Sequence, residues 1–271
     1  MPEEIVAKHG LQAIQRVFKQ AKAQKRAAFI PYYPVGYPDY ETSVEVLAAL
    51  AEAGADIIEV GVPFSDPLAD GPTIQAATQI ALQQGTTPRM CIKAIETIRQ
   101  RNIQTPVMLM GYANPFMAYG YKHLTSDAQH VGIDGLVIPD MPADEVDTLQ
   151  TLVEAADLGF VHFVAPTSSS ERIRLSAEKA RGYIYLVSVT GVTGERQTIA
   201  TELRQYIASI RLVTQKPIAV GFGISTPEQA AEVGAIADGV IVGSALVKSA
   251  EKGVQAVYQL AKSLRDALNA S

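Results

Sequence analysis

The sequence of 271 residues contains a single cysteine, Cys91. With no second cysteine to pair with, the chain cannot form an internal disulfide, and its cysteine usage does not point to an oxidising compartment. No apolar run reaches the roughly 18 residues that a membrane span needs. The first residues, MPEEIVAKHG, lack the cationic and then apolar order of a signal peptide. We therefore expect a cytoplasmic protein.

Positive charge is also scarce. The formal net charge is −5 and the pI is near 5.4, which argues against a broad nucleic-acid footprint, because such a surface needs a basic face. A small phosphorylated substrate stays possible, since backbone amides and helix N-termini bind phosphate without basic side chains.

Short β-rich runs alternate with amphipathic helical stretches along the chain. Most of the runs are nearly continuous in Val, Ile, Leu and Met, as expected of parallel strands buried on both faces. The eight runs are AAFIPYY, DIIEVGV, PVMLMGY, DGLVIPD, FVHFVAP, YIYLVSV, PIAVGFG and DGVIVGS. This rhythm predicts a (β/α)8 TIM barrel, whereas an open doubly wound sheet is the alternative.

We favour one barrel domain over residues 1–271, because no linker or change of composition divides the chain. The stretch GLQAIQRVFKQAKAQKR predicts an extra N-terminal helix with Leu11, Ile14, Val17 and Phe18 along one stripe. A short helix is expected after the eighth strand, where many barrels bind phosphate.

An acid interrupts the apolar pattern at the end of the second strand. In EVGVPFSDPLADGPTIQ, Glu59 lies at the strand end, and Asp66 and Asp70 follow in a loop. The carboxyl ends of the strands form the active site of such barrels, so Glu59 is a candidate for proton transfer with a pKa raised by burial. The alternative is a strand-end glutamate that faces solvent or pairs with a neighbour.

Glycines end the last two strands. Gly221 and Gly223 precede a helix near STPEQAAE, and Gly243 and Ser244 precede the short final-strand helix. Together they predict a phosphate site made of backbone amides, although glycine can also merely end a strand. The segment Thr190–Thr198, within SVTGVTGERQT, has the glycines of a mobile lid or of a plain connector.

The sequence lacks the residues that two other kinds of catalysis require. A Schiff-base aldolase needs a lysine at the barrel mouth, but Lys122 and Lys248 fall in helical stretches. Metal-assisted hydrolysis needs clustered ligands, whereas the four histidines are scattered, and His162 in FVHFV is typical of internal packing. Acid–base catalysis by carboxylates on a small phosphorylated substrate remains.

These residues resemble a known family. EVGVPFSDPLADGPTIQ looks like the signature of the tryptophan synthase α subunit family, and GLVIPDMP, VAPTSSSERI, YLVSVTGVTG, VGFGIS and ADGVIVGSALV follow in the expected order. The resemblance implies a lyase that cleaves indole-3-glycerol phosphate to indole and glyceraldehyde 3-phosphate in tryptophan biosynthesis. It assigns acid–base catalysis to Glu59, the indole N–H to Asp70, and loop architecture or a partner interface to Asp66.

The resemblance also implies the other positions of the site. It places the phosphate on Gly194, Gly223, Gly243 and Ser244. It brings Thr193 to Asp70 when the lid closes and Tyr185 near the catalytic pair. It lines the indole pocket with Tyr32, Met110, Val137 and Val164, for each of which ordinary barrel packing is the alternative.

A partner is implied as well. The family resemblance predicts a β subunit that carries pyridoxal phosphate, receives indole through a tunnel and assembles with this chain as an αββα heterotetramer. No metal or organic cofactor is expected in this chain itself. The alternatives are a freestanding indole-glycerol-phosphate lyase and a regulatory subunit with little activity of its own.

One stretch departs from the family pattern. After the first strand the chain reads PYYPVGYPD, with Pro34 where the family usually has threonine and Tyr37 where it usually has aspartate. Proline has no N–H to donate and fixes its own φ, so the floor of the second loop could differ. We expect a neutral variation compensated nearby, the alternative being altered partner docking or basal activity.

Overall fold

The computed structural model describes residues 9–187, 196–221 and 223–269. Eight parallel strands close into a barrel in sequential order, and β1 pairs with β8. The strands are β1 Ala28–Pro34, β2 Ile58–Gly61, β3 Val107–Met110, β4 Gly135–Val137, β5 Gly159–Val164, β6 Ile184–Val187, β7 Ile218–Gly221 and β8 Gly239–Val242. The predicted (β/α)8 barrel is confirmed, and each strand lies within its predicted run, except that β1 extends to Pro34 and β5 begins at Gly159.

Twelve α-helices surround the barrel in the described part of the chain, with a 3-10 turn at Ala250–Lys252. They are α1 Leu11–Ala23, α2 Tyr40–Glu52, α3 Pro72–Gln83, α4 Pro88–Gln100, α5 Ala113–Tyr119, α6 Tyr121–Val131, α7 Asp147–Ala155, α8 Ser170–Lys179, α9 Arg196–Arg211, α10 Pro227–Gly234, α11 Ser244–Ser249 and α12 Val254–Asn269. Within the described ranges, no helix combines the length and apolar character that crossing a bilayer requires.

Alternation along each strand decides which side chains enter the barrel. In β2, Ile58 and Val60 pack among the surrounding helices, whereas Ile57 belongs to the cluster inside the barrel. Because side chains alternate with a period of two, Glu59 points to the same side as Ile57. The strand therefore places its one acid in the interior.

The N-terminal helix closes the bottom of the barrel. Its buried stripe, Ile14, Val17 and Phe18, joins the interior cluster, and the Phe18 ring lies 5.3 Å from that of Tyr183. Buried Asp134, just before β4, accepts hydrogen bonds from the backbone N–H of Gly10 at 2.8 Å and of Val107 at 2.7 Å. One carboxylate thus ties the entry of α1 to the start of β3.

A glycine begins the fifth strand. The helix α7 ends at Ala155, and Gly159 is the first residue of β5. A Cβ at Gly159 would lie 2.4 Å from Ile14, so this glycine is needed for the close approach of α1 to the strand.

The unusual segment after β1 is accommodated without loss of pairing. Val35 donates its N–H to Gly61 of β2, at 3.0 Å. Successive N–H groups of a strand point to opposite sides, so the nitrogen of Pro34 points toward β8, whose pairing with β1 has already ended at Pro31. The Tyr33 hydroxyl donates to the carbonyl of Tyr37 at 3.0 Å. This geometry agrees with a neutral variation.

The buried ion pair of Asp134 gives a stability prediction. Arg99 donates to Asp134 at 2.9 Å and both side chains are nearly excluded from solvent, so Asp134→Ala leaves a buried guanidinium without its carboxylate. We expect the free energy of unfolding in urea to fall by about 3–5 kcal/mol. Glu45→Ala, which removes an exposed pair with Arg101, should cost less than about 1 kcal/mol. Equal losses in the two variants would contradict the importance given to Asp134.

Candidate active site

A cavity of about 540 Å³ opens at the carboxyl ends of the strands. Both Glu59 and Asp70 line it. Its other walls are Tyr32, Ala69, Gly71, Pro72, Ile74, Met110, Pro139, Phe163, Tyr185, Val187, Gly223, Ile224, Ser225, Ile241, Gly243, Ser244 and Ala245. Most of these side chains are apolar, so the two carboxyl groups stand out within the cavity.

Glu59 is completely buried on the cavity floor. Its Oε1 accepts a hydrogen bond from the Tyr183 hydroxyl at 2.8 Å, whereas its Oε2 has no partner among the described residues. Burial raises the pKa of Glu59 to about 8, against the opposing effect of the Tyr183 hydrogen bond. One oxygen is held in place and the other is free to exchange a proton with a ligand near neutral pH.

Asp70 lies half-buried in the loop between β2 and α3. Burial raises the pKa of Asp70 to about 6, and a hydrogen bond with Tyr112 opposes the rise. The same tyrosine oxygen accepts the N–H of Ala69 at 3.0 Å, and Gln75 donates to the Asp70 carbonyl at 2.8 Å. The loop is thus anchored on both sides of the carboxylate, which stays largely ionised at neutral pH.

Two glycines make room for two tyrosines on the cavity wall. A Cβ at Gly61 would lie 2.3 Å from the Tyr32 hydroxyl oxygen, and one at Gly221 would lie 2.4 Å from that of Tyr185. Since real Cβ atoms do not approach so closely, each ring depends on the missing side chain of the glycine beside it. The ring of Phe163 stacks on Tyr185 with centroids 4.5 Å apart, which gives the cavity a flat aromatic side.

The predicted phosphate positions Gly223, Gly243 and Ser244 all line the cavity. The helices α10 and α11 both begin there, but their first turns differ. Thr226 and Gln229 form a capping box that occupies the N-terminus of α10. Among the described residues no side chain caps α11, whose first amides at Ser244 and Ala245 have no intrahelical acceptor. Of the two helix N-termini, the one of α11 therefore has amides available to an anion.

Two predicted positions do not line the cavity, and two others fall on residues that the structure does not describe. Thr193 and Gly194 lie outside the described residues, as does most of the Thr190–Thr198 segment. Val137 is buried in the barrel interior without lining the cavity. Val164 packs on the outside of β5 in the cluster that includes Ile173 and Ile207 of the surrounding helices. The residue that lines the cavity from β5 is its neighbour Phe163.

Three residues of the site were not found from the sequence. Phe163 lies one position before Val164, and the two-residue alternation of inward Val161 would have placed it inside. Tyr183, which holds Glu59, alternates in the same way with Tyr185 in YIYLV. Tyr112, which contacts Asp70, ends the third predicted run and so lies at the expected mouth of the barrel, but it was given no role there.

Asp66 and the histidines do not join the site. Asp66 is exposed, and its carboxylate accepts the Ser65 hydroxyl at 2.7 Å, which fits the loop architecture expected of it. His162 is buried outside the cavity, and burial lowers its pKa to about 4. Across the ranges that the structure describes, no group of three or more His, Cys, Asp or Glu is arranged to bind a metal ion.

Comparison with known proteins identifies the family. The sequence model described as "Tryptophan synthase alpha chain" matches residues 18–269. The chain belongs to the tryptophan synthase alpha chain family. This finding confirms the resemblance on which the site assignment was based, and with it the prediction of a lyase that serves as the α subunit in tryptophan biosynthesis.

The chain aligns with individual members of the tryptophan synthase alpha chain family along most of their length. The chain is 46% identical to the protein of Chloroflexus aurantiacus over 88% of this chain and 90% of the relative. It is 47% identical to that of Gloeobacter violaceus over 87% and 85%, respectively. A structure of Mycobacterium tuberculosis tryptophan synthase superposes with a TM-score of 0.88 at 39% identity, covering 94% of this chain and 98% of that one.

The raised pKa of Glu59 predicts a pH-dependent cost in stability. Folded Glu59 keeps its proton up to about pH 8, whereas the unfolded residue loses it near 4.5. The unfolded state is therefore favoured as pH rises between these values, by at most about 1.4 kcal/mol per pH unit. Glu59→Gln carries no titrating proton, so its free energy of unfolding should increase relative to the wild type from pH 5 to pH 8.

Urea titrations at several pH values measure this difference. The matched variant Glu52→Gln changes an exposed glutamate of α2 and should follow the wild type at every pH. A difference between Glu59→Gln and wild type that stays constant from pH 5 to pH 8 would show that folding does not raise the pKa of Glu59.

Proposed function

We propose that Glu59 and Asp70 cleave indole-3-glycerol phosphate by a retro-aldol reaction, with Glu59 moving the protons. The observation that carries the proposal is the pair of carboxyl groups in one mostly apolar cavity, one with a pKa of about 8 and the other of about 6. Near neutral pH the first is largely protonated and the second largely ionised. Carboxyl groups held in opposite states suit the roles of acid and charge stabiliser.

The proton transfers follow from the free oxygen of Glu59. Protonated Glu59 donates to ring carbon C3 of the indole, which leaves the ring as a cation. The carboxylate so formed accepts the proton of the hydroxyl on the adjacent glycerol carbon. The bond between the two carbons then breaks, its electrons return to the ring, and the products are indole and glyceraldehyde 3-phosphate. Glu59 ends protonated, as it began.

Asp70 stabilises the intermediate cation. The positive charge of the protonated ring is shared with the indole nitrogen, whose N–H donates to the Asp70 carboxylate. This charge develops only as C3 is protonated, so the interaction favours the transition state over bound substrate. Half-burial makes it stronger than it would be in water.

The remaining cavity residues orient the substrate. We assign the phosphate to the amides of Gly223, Gly243 and Ser244, with the uncapped start of α11 as support. The indole ring is assigned to the aromatic wall of Tyr32, Phe163 and Tyr185 with Met110, and Phe163 replaces Val164 in this role. Thr193 and Gly194 keep their expected roles in the lid and at the phosphate.

A β subunit is the proposed partner, and the αββα heterotetramer the proposed assembly. Support comes from two exposed apolar side chains on the catalytic face: Leu68 in the loop that carries Asp70 is 93% exposed, and Met117 after β3 is 61% exposed. Such residues beside a cavity mouth are typical of an interface. Pyridoxal phosphate is then expected in the partner alone, while residues 1–271 act as one cytoplasmic domain without a cofactor.

Indole release from indole-3-glycerol phosphate, with and without a purified β subunit, tests the function. We expect slow release alone and faster release with the partner. Glu59→Gln should bind substrate but lose about 10²–10⁴-fold in kcat, because Asp70, the other carboxyl group among the described lining residues, is assigned to the indole nitrogen. Asp66→Asn serves as the control and should retain kcat in the isolated chain. Substantial turnover by Glu59→Gln would remove Glu59 from this role.

The two pKa values also predict the pH profile of kcat/KM. Ionised Asp70 and protonated Glu59 are both required, so kcat/KM should rise through about pH 6 and fall through about pH 8. Asp70→Asn should lose the rising limb and about 10²–10³-fold in rate. A rising limb that persists in Asp70→Asn would assign it to the substrate phosphate instead.

A further inference from the structure

A second, larger cavity lies at the opposite end of the barrel. It measures about 1070 Å³ and opens between α1 and the ends of the helices that lead into the strands. We call it the basal cleft. It is lined by Leu11, Gln15, Phe18, Lys19, Lys22, Lys25, Arg26, Gln150, Glu154, Glu178, Lys179, Ala180, Arg181, Gly182, Arg211, Gln215, Lys216, Pro217, Gly234, Ala235, Ala237 and Asp238. It shares no residue with the catalytic cavity.

The basal cleft is basic although the protein is acidic. Eight cationic and three acidic side chains line it, while the chain as a whole carries a net charge of −5. Five of the cations already have partners. The pairs are Arg26 with Asp56, Lys179 with Asp147, Arg181 with Glu154 and Asp157, Arg211 with Asp238, and Lys216 with the carbonyls of Ala177, Glu178 and Ala180.

The other three cations are the lysines of one wall. Lys19, Lys22 and Lys25 are exposed along the end of α1, and no ion pair or hydrogen bond joins their side chains to any other described residue. Lys19 and Lys22 are one turn apart, where like charges repel. An anion in the cleft would relieve this repulsion, since no acid of the described residues lies within salt-bridge distance of the three lysines.

The stabilisation of cations at helix C-termini explains only some of the cationic residues in the basal cleft. Cations are stabilised in the last turn of a helix, and Lys22, Lys179 and Arg211 occupy such positions in α1, α8 and α9. Lys19 lies a turn earlier and Lys25 lies beyond the end of α1. On the opposite wall, burial and the nearby Arg181 lower the pKa of Lys216, which agrees with a positive potential across the cleft.

The shape of the basal cleft favours a compact ligand. A concave volume of this size fits a small molecule, whereas the net negative charge elsewhere would repel a long nucleic acid. We propose that the basal cleft binds a chain of phosphates, as found in a nucleoside triphosphate or inorganic tripolyphosphate, through Lys19, Lys22 and Lys25. The buried edge of Phe18 and the side chain of Pro217 offer an apolar floor to a nucleobase.

Isothermal titration of the full-length chain with tripolyphosphate and with ATP, at low salt and without magnesium, tests the proposal. We expect one site per chain and an affinity that falls as salt is added. The variant Lys19→Gln/Lys22→Gln/Lys25→Gln should bind both anions about tenfold more weakly or worse, and its rate of indole release should be unchanged. If ATP binds more tightly than tripolyphosphate, the nucleobase contacts the apolar floor. If the two bind equally, the cleft recognises the phosphate chain alone.

A control variant of the same charge separates the cleft from the overall charge. Lys93→Gln/Lys122→Gln/Lys262→Gln removes three exposed lysines from other helices and should bind like the wild type. Equal weakening in both variants, or no binding to the wild type, would overturn the proposal. So would competition between tripolyphosphate and indole-3-glycerol phosphate, which would place the anion in the catalytic cavity. Binding to vesicles of anionic phosphatidylglycerol but to neither soluble anion would indicate a membrane surface instead.

Discussion

The burial of one carboxyl group is the constraint on which the rest of the site depends. Glu59 sits in the barrel interior with a single hydrogen bond, from Tyr183, and a free second oxygen. A carboxylate in such a place is costly, so the group retains its proton at neutral pH. The surrounding apolar residues thus keep this carboxyl group protonated, while Asp70, nearer to solvent, stays ionised. Two identical functional groups differ in protonation state because they differ in depth.

The shape of the cavity depends as much on absent side chains as on those present. Gly61 and Gly221 leave the space that the rings of Tyr32 and Tyr185 occupy. Of the two helices that begin at the cavity, α10 is self-capped and α11 is not, and this contrast decides where backbone amides remain free. A cavity with both aromatic surface and free amides matches a substrate that has an apolar part and an anionic part.

Much of this could be read from the sequence, because buried parallel strands are continuous apolar runs and Glu59 interrupts one of them. The glycines at the ends of β7 and β8 were equally visible. The position of Phe163 was not taken from the sequence. The family resemblance indicated Val164 instead, and neighbouring residues of a strand face opposite sides, so the structure has Phe163 in the cavity and Val164 outside it. Tyr183 was missed because a buried tyrosine in a strand looks like packing until its hydroxyl is seen to reach Glu59.

Closure of the barrel has a consequence for synthesis of the chain. The strand β1 pairs with β8 from Ala28 opposite Gly239. The edge of β1 that faces β8 therefore has no partner until about 210 further residues have been synthesised, which takes about 10–40 s at ordinary rates of translation. Throughout that time an apolar strand has exposed N–H and C=O groups along one side. The nascent chain therefore passes through an open sheet, and its protection against pairing with neighbouring chains has to come from outside the finished barrel.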